Sequence, residues 1–242
     1  LAHAAYGRKP WRELVLPAVA LAQEGMEVDW YSGLLTASTA KALSLDPDAA
    51  ALFLDEGRWP RLGSWTASTP QRLDQRALSR SLQQLADEGP SALYQGDLGR
   101  ALVRDVRTKG GCLSDADLAG YQAEWQEPLE IACRGGKVWA APGFTGGPTL
   151  AQALQALTRA LAEETGRDPG RTPDASDYVA MARALDEAFR SRLTDMGDHE
   201  EAKAPGCTTH FSVVDRQGNL CAVTQTLLSI FGSRVVSPST GI

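Results

Sequence analysis

Between Pro10 and Gly25, apolar side chains fall at Trp11, Leu14, Val15, Ala18, Leu21 and Ala22, in steps of three and four. That spacing lines one face of an α-helix. Pro10 suits a first helical turn and Gly25 a terminus, so the pattern predicts a helix over 10–25. The same period recurs over 29–43, 46–54, 71–88, 96–109 and 115–122. The last of these is preceded by Ser114, with Asp115 and Asp117 in its first turn, an N-cap followed by acidic residues that favour a helix start. The first half of the chain is therefore expected to be mostly helical.

The pattern then changes. Residues 127–133 (EPLEIAC) and 137–140 (KVWA), joined by Arg134-Gly135-Gly136, have the length and turn chemistry of a hairpin. Helical periods return over 149–164 and 175–193. The segment 194–207 (TDMGDHEEAKAPGC) has no apolar period, an acidic cluster and Pro205-Gly206 near its end, and predicts an exposed loop. Helices, a hairpin, helices and a second hairpin predict a layered α/β arrangement with antiparallel strands rather than βαβ repeats.

The second hairpin pairs 208–215 (TTHFSVVD) with 219–226 (NLCAVTQT) across Arg216-Gln217-Gly218. A three-residue loop with glycine last fits a type I turn closed by a left-handed residue, a conformation glycine adopts without penalty. With Asp215 facing Asn219, Thr208 lies directly opposite Thr226. Such partners have Cβ atoms about 5 Å apart, close enough for their hydroxyls to hydrogen-bond. Alternation puts Thr208, His210, Ser212, Thr224 and Thr226 on one face and Phe211, Val213, Cys221 and Val223 on the other. Taken alone, the threonine pair has a plain structural reading, since threonine favours strands and pairs well across them. The exposed segment ahead of Thr208 adds a chemical one. Cleavage before a threonine leaves a hydroxyl and a freed α-amine on one residue, a nucleophile and a base held together covalently. The amine's reference pKa of about 7.7 to 8.0 lets it accept the hydroxyl proton near neutrality.

Composition narrows the alternatives. The 242 residues, 43% of them hydrophobic, suffice for one domain or two small ones with a real core. Lys and Arg total 24 against 30 Asp and Glu, a net charge of −6, and no basic cluster grips phosphates, so nucleic acid is not an expected partner. No run of about 18 apolar residues predicts a membrane span. Cys112, Cys133, Cys207 and Cys221 are far apart with no C-x-x-C pair, which points away from a zinc site or disulfide framework and toward reduced, mostly buried thiols. That favours a soluble protein of a reducing compartment, the cytoplasm ahead of the periplasm. No cofactor or metal is expected.

The residues carry a family resemblance. TTHFSVVDRQGN, the following AVTQTL, FGS (231–233) and PSTGI (238–242) resemble the γ-glutamyltranspeptidase family of N-terminal nucleophile hydrolases around its autocleavage site. YGRKPWRELVLPAVALAQEG, LYQGDLGRALV, GGCLSDADLAGYQAEWQEPLE and PGFTGGPTL are similar to that family's large-subunit segments, in the same order.

The resemblance implies a layered αββα fold in which 1–242 is a fragment of a single domain, with 1–207 part of a large subunit and 208–242 the start of a small one. It implies autocleavage of the Cys207–Thr208 bond, Thr208 as nucleophile, and Thr226 as the threonine that hydrogen-bonds it. The expected activity is acyl transfer from a γ-glutamyl amide of the glutathione type to an amine acceptor or water, with the two halves of the cleaved precursor as each other's partners. Where the family has T-L-N, this chain has Thr226-Leu227-Leu228. Leucine cannot donate the asparagine's hydrogen bond, which weakens discrimination for a glutamyl group and admits an acylase or amidase acting on another acyl group. A third alternative is a non-catalytic, unprocessed member. The family's oxyanion-hole glycines and its carboxylate-binding arginine lie outside the 242 residues. Because one oxyanion donor is worth about 10² to 10³ in rate, the fragment alone is expected to be nearly inert.

Weaker signals have plainer readings. Gly143-Phe144-Thr145-Gly146-Gly147 could cradle an anion on backbone N–H groups but lacks the Lys-Ser/Thr of a nucleotide loop, so a tight turn is expected. His199-Glu200-Glu201 is not H-E-x-x-H and reads as solvated loop. His210, with no suitably placed acid, reads as a structural histidine rather than a triad member.

Overall fold

The computed structural model describes residues 1–62, 71–133, 136–162, 172–196 and 206–242. It divides into two compact units, Leu1–Ala123 with Ala204–Ile242, and Glu124–Lys203.

The first unit opens with α1 (Ala2–Tyr6), α2 (Trp11–Glu24), β1 (Met26–Glu27), α3 (Trp30–Leu43), α4 (Pro47–Phe53), β2 (Leu54–Asp55), β3 (Trp59–Pro60), β4 (Arg72–Leu73), α5 (Arg76–Glu88), α6 (Ser91–Tyr94), α7 (Asp97–Thr108) and α8 (Asp115–Gly120). The helix starts follow the local chemistry. Asp29 Oδ1 accepts from Ser32 N at 2.7 Å ahead of α3, Asp46 Oδ1 accepts from Ala49 N at 2.8 Å ahead of α4, and Ser114 and Asp117 form a reciprocal capping box on α8. The helix expected over 71–88 is shorter than its period. Arg72 and Leu73 pair instead with Glu27 and Met26 in a two-residue ladder, and the helix begins only at Arg76. The apolar period does not reveal that ladder, because its partners, Met26 with Leu73 and Glu27 with Arg72, are distant in sequence. The single turn of α6 is too short to show a period.

Small residues set the packing of α2 on α5. Ala22, Ser79 and Ala86 are buried, Trp11 Nε1 donates to Leu85 O at 2.7 Å, and Ser79 Oγ donates to Val19 O at 3.1 Å. A second core joins Leu43, Ala49, Ala50 and Leu54, with Ala40, Phe53, Phe231 and Val236 packed against it. Burying the two leucines contributes on the order of 2 kcal/mol each. Phe53 and Phe231 meet edge to face, ring centres 4.9 Å apart, an arrangement favoured by the ring quadrupoles.

The second unit holds a hairpin of β5 (Leu129–Cys133) and β6 (Gly136–Ala140), then α9 (Gly147–Ala162) and α10 (Ala175–Met196). Ile131 of β5, Ala153 and Ala156 of α9, and Ala184 and Ala188 of α10 are its buried apolar residues. The segment 143–147 is the turn the sequence predicts, bonded to itself: Thr145 Oγ1 donates to Ala141 O at 2.7 Å and accepts from Gly147 N at 3.0 Å. Gly147 is required there, because a β-carbon would lie 1.9 Å from Ala141 O. Arg192 of α10 donates to Thr145 O at 2.8 Å.

The chain then returns to the first unit as β7 (Gly206–Val214) and β8 (Leu220–Ser229), and ends in a turn-rich segment. Of the loop expected over 194–207, residues 194–196 belong to α10, Gly206 and Cys207 belong to β7, and 197–205, with His199-Glu200-Glu201 and Pro205, lie outside the described residues. So do Arg134 and Gly135 of the first hairpin's turn. Helix-rich with small antiparallel sheets, the protein is α/β as the order of elements predicts.

Candidate active site

β7 and β8 pair in the register read from the sequence. Thr208 faces Thr226, His210 faces Thr224, Ser212 faces Ala222, and Val214 faces Leu220. The turn has the expected chemistry. Gly218 is left-handed at φ 82°, Gly218 N donates to Asp215 O at 3.1 Å, and Asp215 Oδ1 accepts from Gln217 N and Asn219 N at 2.9 Å each. Asn219, through its side-chain amide and backbone, holds the Asp215 carboxyl below the usual carboxylate range.

The polar face is continuous. Thr208 Oγ1 donates to Thr226 Oγ1 at 3.0 Å. One rung along, His210 Nδ1 and Thr224 Oγ1 lie 2.7 Å apart, and His210 Nε2 and Ser212 Oγ lie 3.1 Å apart. Both ring nitrogens of His210 are thus engaged by hydroxyls, as for a structural histidine, and no carboxylate among the described residues hydrogen-bonds to it. On the opposite face Phe211, Val213 and Cys221 are exposed. Cys112 is exposed as well, so these two thiols are not the buried ones that the sequence leads one to expect.

The pairing shifts by one residue at the bond between Cys207 and Thr208. Cys207 faces Leu228 and Gly206 faces Ser229, leaving Leu227 as the extra residue of a β-bulge. Leu228 is left-handed, φ 66°, the residue is 81% exposed, and its N–H donates to Thr226 Oγ1 at 2.9 Å. Neither bulge nor backbone bond is legible in the sequence, which lacks the glycine that would have signalled it.

Beyond the hairpin, Val236–Ile242 is fixed to the helices. Ser237 Oγ donates to Asp105 Oδ2 at 2.6 Å, Ser239 N donates to Asp105 Oδ2 at 2.8 Å and Ser239 Oγ to Oδ1 at 3.0 Å, and Ser81 Oγ donates to Thr240 O at 2.6 Å. Burial pushes the Asp105 carboxyl up, but the hydrogen bonds from Ser237 and Ser239, with Arg104 nearby, outweigh it and hold the carboxyl below its ordinary value. Asp46, which accepts from Lys109 Nζ at 2.5 Å and from Val236 N at 3.4 Å, shows the same balance. The polar run Ser237-Pro238-Ser239-Thr240-Gly241 was the available sequence signal for this anchor, but its partner Asp105 carries none.

The helices and antiparallel hairpins define a chain of the α/β class. The family model for gamma-glutamyltranspeptidase matches residues 1–207 and 200–242, and the chain belongs to that family. The acylase ACY 1 proenzyme of Pseudomonas sp. (strain SE83) is 31% identical over 272 residues, covering 99% of this chain and 47% of that protein. The glutathione hydrolase proenzyme of Pseudomonas aeruginosa is 30% identical over 273 residues, again 99% and 47%. This chain therefore spans about half the length of these relatives. Cephalosporin acylase from Bacillus halodurans superposes with a TM-score of 0.72 over 99% of this chain and 48% of that one; at 23% identity the likeness is one of fold. Among the described residues, no helix is long and apolar enough to cross a membrane.

Proposed function

We propose that the protein containing this chain is an autoprocessed acyl transferase and hydrolase in which Thr208 is the nucleophile, acting on small γ-glutamyl amides. The observation that carries this reading is the 3.0 Å hydrogen bond from Thr208 Oγ1 to Thr226 Oγ1, on the residue that the family resemblance implies as the cleavage site.

In maturation the Thr208 hydroxyl attacks the carbonyl of Cys207. The Oγ–C bond forms, the C–N bond breaks, and the hydroxyl proton ends on the Thr208 nitrogen. Water then hydrolyses the ester, giving a carboxylate on Cys207 and a free amine on Thr208. In turnover that amine takes the hydroxyl proton as Oγ attacks the substrate amide, and returns it to the departing amine. The resulting acyl ester passes to water or to an acceptor amine. Thr226 orients the hydroxyl. After the cut, residues 208–242 would remain tied to 1–207 through Phe231 on Phe53 and Ser237 and Ser239 on Asp105, so the two pieces are each other's partners.

A second reading, an acylase acting on a non-glutamyl acyl group, is favoured by the exposed apolar side chain of Leu228 beside the threonine pair and by the acylase among the relatives. Mass spectrometry of the full-length protein tests processing. Two species meeting at 207/208 are expected, with loss of both cleavage and turnover in Thr208→Ala. One intact, inactive species would identify a non-catalytic member instead, and relative rates on a γ-glutamyl anilide and a simple acyl anilide separate the two enzymatic readings.

A further inference from the structure

We propose that the cleft between the end of α3 and the segment after β8 binds a small carboxylate with an apolar body, held by the guanidinium of Arg234 and the ammonium of Lys41. The site stands apart from the threonine pair and does not depend on the role of Thr208.

The cleft has a volume of about 450 Å³ and is lined by Ser38, Thr39, Lys41, Leu45, Ile230 and Arg234. Such a volume suits a small molecule. Arg234 is its unusual member. Its Nε is buried with no hydrogen-bond partner, although an unmade buried donor is costly and such groups are nearly always satisfied by protein, water or a ligand. Its backbone is left-handed at φ 60°, a conformation that a residue with a β-carbon resists. The turn that carries it is tied down. Ser229 Oγ donates to Gly232 O at 2.9 Å, Arg234 N donates to Phe231 O at 2.8 Å, and Phe231 packs on Phe53. A strained backbone that delivers an unsatisfied guanidinium to a cleft points to a guest.

The charges around the cleft select that guest's sign. Among the described residues, no carboxylate forms an ion pair with Arg234 or Lys41. Asp46, next to Leu45, is engaged instead by Lys109, Ala49 and Val236. The hydroxyls bond within α3, Ser38 Oγ donating to Leu35 O at 2.8 Å and lying 3.4 Å from Thr39 Oγ1. The guanidinium and the ammonium are therefore the donors left for a ligand. A planar guanidinium matches the two oxygens of a carboxylate, and the bonds are charge-assisted. Leu45, 83% exposed, and Ile230 supply an apolar wall. That wall favours a carboxylate on a hydrocarbon body over a strongly hydrated anion such as phosphate.

The test is isothermal titration calorimetry of the full-length protein with hexanoate, hexanamide and inorganic phosphate at low ionic strength, with circular dichroism as the fold control. Hexanoate is expected to bind with a Kd of about 1 mM, and hexanamide and phosphate at least about tenfold more weakly. Arg234→Gln, which loses both the charge and the fork, is expected to weaken hexanoate at least about tenfold, and Arg234→Lys, which keeps the charge, about threefold. Lys41→Ala, at an exposed helix position, is expected to weaken it about threefold. Hexanamide or phosphate bound as tightly as hexanoate overturns the proposal, as does Arg234→Gln or Lys41→Ala binding hexanoate like the unaltered protein. So does the absence of any hexanoate binding at about 20 mM. If Arg234→Gln does not fold, the preference for hexanoate over hexanamide in the unaltered protein and the Lys41→Ala titration decide the question.

Discussion

Asp105 on α7 and Ser237, 132 residues later, are joined by a 2.6 Å hydrogen bond, and Ser239 adds two more to the same carboxylate. One helix side chain thus gathers three donors from the segment that follows the hairpin. A charged acceptor with several donors contributes more than a neutral bond, and removing it leaves those donors without it. Asp105→Ala is expected to lower unfolding stability by about 2 kcal/mol, with Asp105→Asn intermediate, read from urea midpoints at unchanged m-value.

Acid should release the same anchor. The carboxyls of Asp105 and Asp46 are held below their ordinary values in the folded chain. Their contribution is therefore complete above the unfolded carboxylate pKa of about 3.9 and is lost as pH falls through the lower folded values. Urea midpoints are expected to be unaffected by these two groups from pH 7 to pH 5 and to drop below about pH 4, with a shallower drop in Asp105→Asn.

Gly241 is left-handed at φ 74°, and a β-carbon there would lie 2.3 Å from Leu78 N. Backbone angle and contact oppose a side chain together. Gly241→Ala is expected to cost at least about 2 kcal/mol, measured by thermal unfolding, and a Tm equal to that of the unaltered chain would show that the close approach is dispensable.

Thr226→Ala removes one hydrogen bond to the nucleophile and leaves its chemistry in place. A bond of about 1 to 1.5 kcal/mol corresponds to about tenfold in rate. Self-cleavage and kcat are both expected to fall by about that factor, and Thr226→Ser, which keeps the hydroxyl, is expected to recover most of it. Single-turnover kinetics on matured protein check the assignment.

Leu228→Asn restores at the bulge the residue type found there in the family pattern. Its amide adds a donor beside the threonine pair where an exposed leucine now stands. The ratio of kcat/KM on a γ-glutamyl anilide to that on a simple acyl anilide is expected to rise by about tenfold or more. An unchanged ratio would mean that position 228 does not read the acyl group.

Much of the hairpin was legible because its information is local. Gly218 closes a three-residue loop and alternation fixes the faces, so Thr208 opposite Thr226 follows without knowledge of the rest of the molecule. The helices were legible for the same reason, since Asp29, Asp46 and Ser114 cap the periods that follow them. The helix over 71–88 was overestimated because Arg72 and Leu73 answer to Met26 and Glu27 rather than to their own neighbours.

The sequence by itself determined the helical periods and the hairpin register, both of which depend on spacing along a few adjacent residues. Tertiary structure alone decided that Leu228 bends its N–H onto Thr226, that Asp105 holds Ser237 and Ser239, and that Phe231 completes a core begun at Leu43. A left-handed leucine runs against local preference, and the other contacts join residues more than a hundred positions apart. Their energies appear only when the whole chain has closed around them, so no local pattern records them.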